Sequence, residues 1–163
     1  MIAQSVGAVM VATWVHDYAP AIRGLVLASP AFKVKLYVPL ARPGLALWPR
    51  LRGLFFINSY VKGRYLTHDR QRVASFNNDP LITRAIAVNI LLDLYKTSER
   101  IVSDAAAITL PTQLLISGDD YVVHRQPQID FYQRLRSPLK ELHLLPGFYH
   151  DTLGEENRAQ AFE

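Results

Sequence analysis

Three side chains of this sequence could carry out acyl transfer together: Ser5, Asp120 and His150. A serine hydroxyl is a poor nucleophile until a neighbouring base takes its proton. A histidine with an ordinary pKa near 6.5 can take that proton and pass it on. A carboxylate behind the histidine fixes its tautomer and stabilises the imidazolium. The chain order Ser, Asp, His is one known order for such a set. Ser5 lies in Ala3-Gln4-Ser5-Val6-Gly7, followed by the apolar run from Ala8 to Val15. On a sharp strand-to-helix turn, a serine projects its Oγ clear of a sheet. Small residues are wanted two places before and after it. The next N–H, that of Val6, is aimed at a developing oxyanion. Ala3 and Gly7 meet the size demand, Ala3 departing from the usual glycine by one methyl. A serine that opens an apolar helix can also be a plain helix cap, and for Ser5 taken alone both readings stand.

Elements must place these residues. Ser5 to about Asp17 predicts a helix, apolar almost all round and therefore buried on most sides. Tyr18-Ala19-Pro20 ends it. Gly24 to Ser29, closed by Pro30, is a continuous apolar run that predicts a buried parallel strand. Between residues 32 and 109 strand-like runs vanish. Residues 39–65 are rich in Pro, Arg, Leu and aromatics, and Asp79-Pro80 opens an amphipathic helix. Its Ile86, Ile90 and Leu94 recur at spacing four, and it ends near Lys96 to Arg100. Strands return at Thr112 to Ser117 and at Lys140 to Leu145, with a short helix from Ile129 to Leu135 between them. A last helix begins after His150. The expected class is α/β, a parallel sheet fragment flanked by helices. Residues 1–31 and 110–163 form the core segments, and 32–109 a helical insertion. In open parallel sheets, sites lie beyond the carboxyl ends of strands. Ser5, Asp120 and His150 each follow a strand in that way.

Composition narrows the function classes. The 163 residues suit one domain or part of a larger one, and 50% are hydrophobic, enough for a substantial core. The net charge of +4 is too small to argue for nucleic acid, and no recognition motif accompanies the basic residues. With no cysteine there is no disulfide framework or thiolate metal site. No two histidines are spaced for one helix face, so no metal is expected. No apolar run reaches the roughly 18 residues of a membrane span. No charged leader follows Met1, and a cytoplasmic location is the expectation.

Three stretches together carry a resemblance: Ser5-Val6-Gly7, Leu115 to Val123, and Leu145 to Asp151. The sequence resembles the α/β-hydrolase superfamily, in its monoacylglycerol lipase, lysophospholipase and serine-aminopeptidase-like branch. In that branch the acid sits in a Gly-x-Asp-x-x-Val context and the histidine follows Pro-Gly-x-x. The resemblance implies Ser5 as nucleophile, Asp120 as acid, His150 as base and the Val6 N–H in the oxyanion hole. Asp119 competes for the acid, and the spacing to Val123 favours Asp120. Leu66 to Asp69, Asp79 to Leu81 and Ile108 to Thr112 also resemble the branch, where it carries a helical cap. The implied activity is hydrolysis of carboxylic esters. An apolar cap suggests acyl chains, hence a lipase, lysophospholipase or esterase rather than a peptidase, acting on a small-molecule ester or lipid without a cofactor.

The family's sheet lies mostly before the elbow, whereas only Met1 and Ile2 precede Ala3 here. The expectation is therefore an incomplete α/β-hydrolase fold, a fragment whose partner is the missing N-terminal half of the same fold. Half of its oxyanion hole would come from elsewhere. Such a fragment is expected to fold poorly alone and to be nearly inactive. The alternative is a truncated, non-catalytic remnant acting as a binding or membrane-surface module. Lys33, Lys35, Arg42, Arg50, Arg52, Lys62, Arg64, Arg70 and Arg72 face one acid, Asp69, in their span. A solvated basic face is the commoner reading. An anionic membrane surface, with Trp48, Phe55 and Phe56 as shallow anchors, is the sharper one. His16 reads as a helix-end structural residue, His143 as a strand or edge residue, and His68 and His124 as surface groups.

Overall fold

The computed structural model describes residues 1–35 and 56–162. Four parallel strands form the central sheet: β1 (Ile2–Gln4), β2 (Leu25–Ala28), β5 (Thr112–Ser117) and β6 (Lys140–Leu145), in the order β1-β2-β5-β6. Helix α1 (Ser5–Tyr18) connects β1 to β2, and α4 (Gln126–Arg134) connects β5 to β6. The apolar runs explain the inner strands. Leu25, Leu27, Leu114 and Ile116 are buried on one face of the sheet, and Ala28 and Leu115 on the other. Strands covered on both faces by helices read as continuous apolar runs rather than alternating ones. β6 is an edge strand, and its polar Lys140, Glu141 and His143 fit that place. This is an α/β arrangement, a parallel sheet whose strands are joined through helices, as expected.

The insertion holds more regular structure than its composition predicts. β3 (Phe56–Asn58) and β4 (Ala85–Ala87) pair antiparallel, Ile57 opposite Ile86. The expectation that strands are absent between residues 32 and 109 is therefore wrong. Three-residue strands are too short to leave a period in the sequence. The long helix also differs. It does not open at Asp79-Pro80 but at Val88, and α3 (Val88–Ser103) runs straight through the polar Lys96 to Arg100. Ile86 belongs to β4, so the spacing-four series joins two elements. Those polar residues do not end the helix because Ile101 behind them is fully buried, and α3 sends it, with Ala105 and Ile108 just beyond, into the main core. Helix α2 (Arg70–Asn78) is capped by Asp69, whose Oδ1 accepts the backbone N–H of Gln71 at 2.9 Å and of Arg72 at 3.2 Å.

Two further expectations change. α1 buries only one face, with Ala8, Val9, Ala12 and Val15 inside, while Val6, Met10, Trp14 and Tyr18 are exposed at spacing four. Apolarity all round the helix thus did not mean burial all round among the described residues. After His150 the chain forms two 3-10 turns, Thr152–Gly154 and Arg158–Ala161, rather than a last α-helix. The core is built from α1, the sheet, the end of α3 and α4. Phe131 of α4 sits fully buried against Phe32, ring centroids 4.8 Å apart. Arg42, Arg50, Arg52, Trp48 and Phe55 of the basic, aromatic stretch lie outside the described residues.

Candidate active site

Each of the three side chains stands at the carboxyl end of a strand. Ser5 follows β1 directly with φ 55°, the left-handed region that a residue with a Cβ occupies at a cost of about 1–2 kcal/mol. That conformation swings the side chain off the helix. The N-cap position of α1 belongs to Gln4, and no side-chain cap bond is made there. The Oγ of Ser5 lies 2.7 Å from His150 Nε2, so the helix-cap reading does not describe it. The backbone carbonyl of Ser5 accepts the N–H of Ala31 at 3.1 Å, which ties the elbow to the end of β2. The size argument for Gly7 is not met here. A Cβ at Gly7 would touch no heavy atom within 4 Å among the described residues.

The acid and the base are brought together by register. β5 and β6 pair so that Ser117 lies opposite Leu145, and the two turns that follow run side by side. Gly118 N–H donates to Leu145 O at 2.8 Å, and Asp119 N–H to Phe148 O at 2.9 Å. The contact is close enough to demand glycine. A Cβ on Gly118 would sit 2.7 Å from Leu145 O and 2.9 Å from Pro146 Cα. The Pro146-Gly147 turn uses the left-handed region at Gly147, φ 77°.

Between these turns, Asp120 and His150 are buried, 7% and 5% exposed. His150 Nδ1–H donates to Asp120 Oδ2 at 2.8 Å. A carboxylate only accepts, so the ring proton belongs on Nδ1 and Nε2 is free to accept from the Ser5 hydroxyl. Asp120 Oδ1 accepts the backbone N–H groups of Val122, at 2.7 Å, and Val123, at 2.9 Å. Those bonds hold the carboxylate in one orientation and compensate its burial. Asp119 is exposed, and it is Asp120 that reaches the ring. Lys35 donates to the backbone carbonyl of Asp120 from the other side. The arrangement can draw a proton from a hydroxyl, hold it on an imidazole, and stabilise the cation so formed.

Several positioning groups carry no signal in the sequence. Gln4, next to the nucleophile, donates from Nε2 to Asp151 at 2.8 Å and accepts the N–H of Leu153 at 3.1 Å. It thereby ties β1 to the histidine turn. Thr152 lies within 2.9 Å of both Ser29 Oγ and Ser117 Oγ, a buried hydroxyl cluster under the site. Tyr149 and Tyr121 flank the base and the acid and meet edge to face, centroids 5.0 Å apart, and Tyr65 lies 5.6 Å from Tyr121. Burial, and then the hydrogen bond with Tyr121, push the Tyr149 hydroxyl above its ordinary pKa. Glu155 is a buried carboxylate in the polar segment where a last helix was expected. Among the remaining histidines, His16 pairs with Asp17 and Asp104 at the end of α1, and His143 is exposed on β6 beside Glu141. His68 is exposed, as expected of a surface group, and it also pairs with Glu155 and lies against Tyr149, 3.8 Å between centroids.

Comparison with known proteins follows the same lines. A protein of Escherichia coli (strain K12), the uncharacterized YnbC, is 94% identical over 163 residues, which make up 28% of its length. Phospholipase YtpA of Bacillus subtilis (strain 168) is 26% identical over 170 residues, and the match covers 64% of it. Among solved structures, monoacylglycerol lipase of Paleococcus ferrophilus superposes with a TM-score of 0.88 at 19% identity. The match covers 99% of this chain and 63% of that one. Monoglyceride lipase of Saccharomyces cerevisiae, solved with a substrate analog, gives a TM-score of 0.84 at 16% identity, covering 99% of this chain and 58% of that one. The chain thus spans less than two thirds of each of these relatives. The family model described as serine aminopeptidase, S33, matches residues 1–157. The chain belongs to that family, and its fold is the α/β-hydrolase fold shared by monoacylglycerol lipases.

Proposed function

We propose that this chain carries the catalytic triad of a serine hydrolase that cleaves carboxylic esters of lipid type. The observation that carries the reading is the unbroken relay from Ser5 Oγ to His150 Nε2, at 2.7 Å, and from His150 Nδ1 to Asp120, at 2.8 Å. Ser5 Oγ attacks the ester carbonyl while His150 Nε2 takes its proton. Asp120 stabilises the imidazolium, and the backbone N–H of Val6 holds the oxyanion. Collapse of the tetrahedral intermediate expels the alcohol, which receives the proton from His150. Water, deprotonated by His150, then releases the acid and restores Ser5. One oxyanion donor is worth about 2.7–4 kcal/mol, so the Val6 N–H alone supports part of this chemistry.

The preference for lipid-like esters rests on the aromatic edge formed by Tyr65, Tyr121 and Tyr149 beside the triad. It also agrees with the lipase and phospholipase activities named for the relatives. The test is a substrate panel of monoacylglycerols, lysophospholipids, short p-nitrophenyl esters and aminoacyl arylamides. Ester turnover that Ser5→Ala abolishes, with no arylamide cleavage, is expected. Arylamidase activity exceeding esterase activity would overturn the substrate class.

A second reading is a non-catalytic module that binds a membrane surface or another chain. It is favoured by the exposed Val6, Met10, Trp14 and Tyr18 on α1, and by exposed Lys33, Lys62, Arg64 and Arg70. Flotation with anionic vesicles, and not with neutral ones, together with absent ester turnover, would favour it.

A further inference from the structure

The turn that bears His150 is held on one side by α2 and the segment leading into it, and on the other by Glu155. Behind His150, the backbone N–H of Asp151 donates to Leu66 O at 2.8 Å, and the Asp151 carboxylate accepts from Arg72 at 3.3 Å. Ahead of His150, the backbone N–H of Tyr149 donates to Glu155 Oε1 at 2.9 Å. Glu155 is 2% exposed. A buried carboxylate is costly unless its lone pairs are filled, and here they are. Oε1 also accepts from His68 Nδ1 at 3.0 Å. Oε2 accepts the backbone N–H of His68 at 3.0 Å, the Thr67 hydroxyl at 3.2 Å and the Glu156 N–H at 3.0 Å. Burial alone would raise its pKa. The N–H groups of Tyr149, His68 and Glu156 outweigh that and hold the carboxyl below its usual range, so it is ionised at neutral pH.

Glu155 touches no reacting atom, and the proposed chemistry does not use it. Apart from the adjacent Glu156 N–H, its donors nevertheless come from two places that the chain must keep in register: the residue preceding the base, and the insertion at Thr67 and His68. We propose that Glu155 is a positioning residue, whose carboxylate fixes the backbone at Tyr149, and with it the His150 imidazole, relative to the segment leading into α2. This inference rests on the reading of His150 as the base. Displacing a catalytic group by about 1 Å costs on the order of 100-fold in rate, so a bond one residue away is enough to matter.

The test is Glu155→Gln. Whichever way the amide sits, its NH2 faces donors, either Tyr149 N–H or the N–H groups of His68 and Glu156. The expected result is a roughly 10- to 100-fold fall in kcat toward a p-nitrophenyl ester with KM little changed. The low-field proton resonance of His150 Nδ1–H should shift or broaden while unfolding stays cooperative. Wild-type kcat and an unmoved resonance in the folded variant would overturn the proposal. If Glu155→Gln does not fold, a backbone ester at Tyr149 removes that single donor and leaves every side chain. It should reproduce both effects, and wild-type behaviour there would equally overturn the proposal. If the unmodified protein turns over no ester and takes no fluorophosphonate on Ser5, the hydrolase reading fails. The His150 resonance then still decides the positioning role.

Discussion

At Ser5 the backbone is held in a conformation that a residue with a Cβ avoids, and the hydroxyl points to an imidazole instead of capping its own helix. Asp120 is the residue whose carboxylate accepts from Nδ1 and so sets the tautomer of that imidazole. Asp120→Asn should preserve the fold and lower kcat by roughly 10³- to 10⁴-fold, because an amide can donate to Nδ1 and so place the proton on the wrong nitrogen. Steady-state kinetics on a folded variant checks this. Gly118→Ala should cost about 1–3 kcal/mol, since the new methyl meets the backbone of Leu145 and Pro146, which cannot step aside without moving the histidine turn. A lower denaturant midpoint together with lost activity is expected, and an unchanged midpoint would contradict the close contact. The meeting of Ser5, Asp120 and His150 was legible because a serine, an aspartate and a histidine each follow a strand in a known chain order. Glu155 was not, because Gly154-Glu155-Glu156 reads as a solvated run, and burial is decided by donors that arrive from Thr67, His68 and Tyr149.

Among the elements, the inner strands were legible because a strand buried on both faces has to be apolar throughout. The short β3–β4 pair and the start of α3 were not. Pairing across a three-residue ladder leaves no period, and Ile86 falls by chance on the helical spacing of Ile90 and Leu94. The end of α1 is tied to α3 by a polar network. His16 places Nδ1 2.6 Å from Asp17 and Nε2 2.8 Å from Asp104, while Arg100 grips Asp17 at 2.7 and 2.9 Å. Both ring nitrogens can donate only in the imidazolium. The bonds to Asp17 first and to Asp104 second therefore raise its pKa above 6.5. The stabilisation that a raised pKa gives is complete below the unfolded value near 6.5. It is lost as pH rises through the folded value. His16→Asn should accordingly destabilise the chain most in mildly acidic buffer, with the difference from wild type shrinking as pH rises. Denaturant titrations at several pH values measure it, and a difference that grows with pH would contradict the network.

For the molecule as a whole, one core joins α1, the sheet, the end of α3 and α4, and the fully buried Phe131 stands against Phe32 within it. Phe131→Ala should cost about 3–5 kcal/mol in chemical unfolding. The class of fold was legible from the alternation of apolar strands and helices. The partly exposed α1 was not, since apolarity alone does not say how much of a helix the rest of a protein covers. The central claim remains that one hydroxyl, one imidazole and one carboxylate work as a unit at the rim of the sheet. Its most direct test is fluorophosphonate labelling read by peptide mass spectrometry, in wild type and in His150→Ala. The account predicts a single phosphonylated peptide carrying Ser5 in the wild type and essentially none in His150→Ala. Labelling elsewhere, or at Ser5 with undiminished speed without the imidazole, would contradict it.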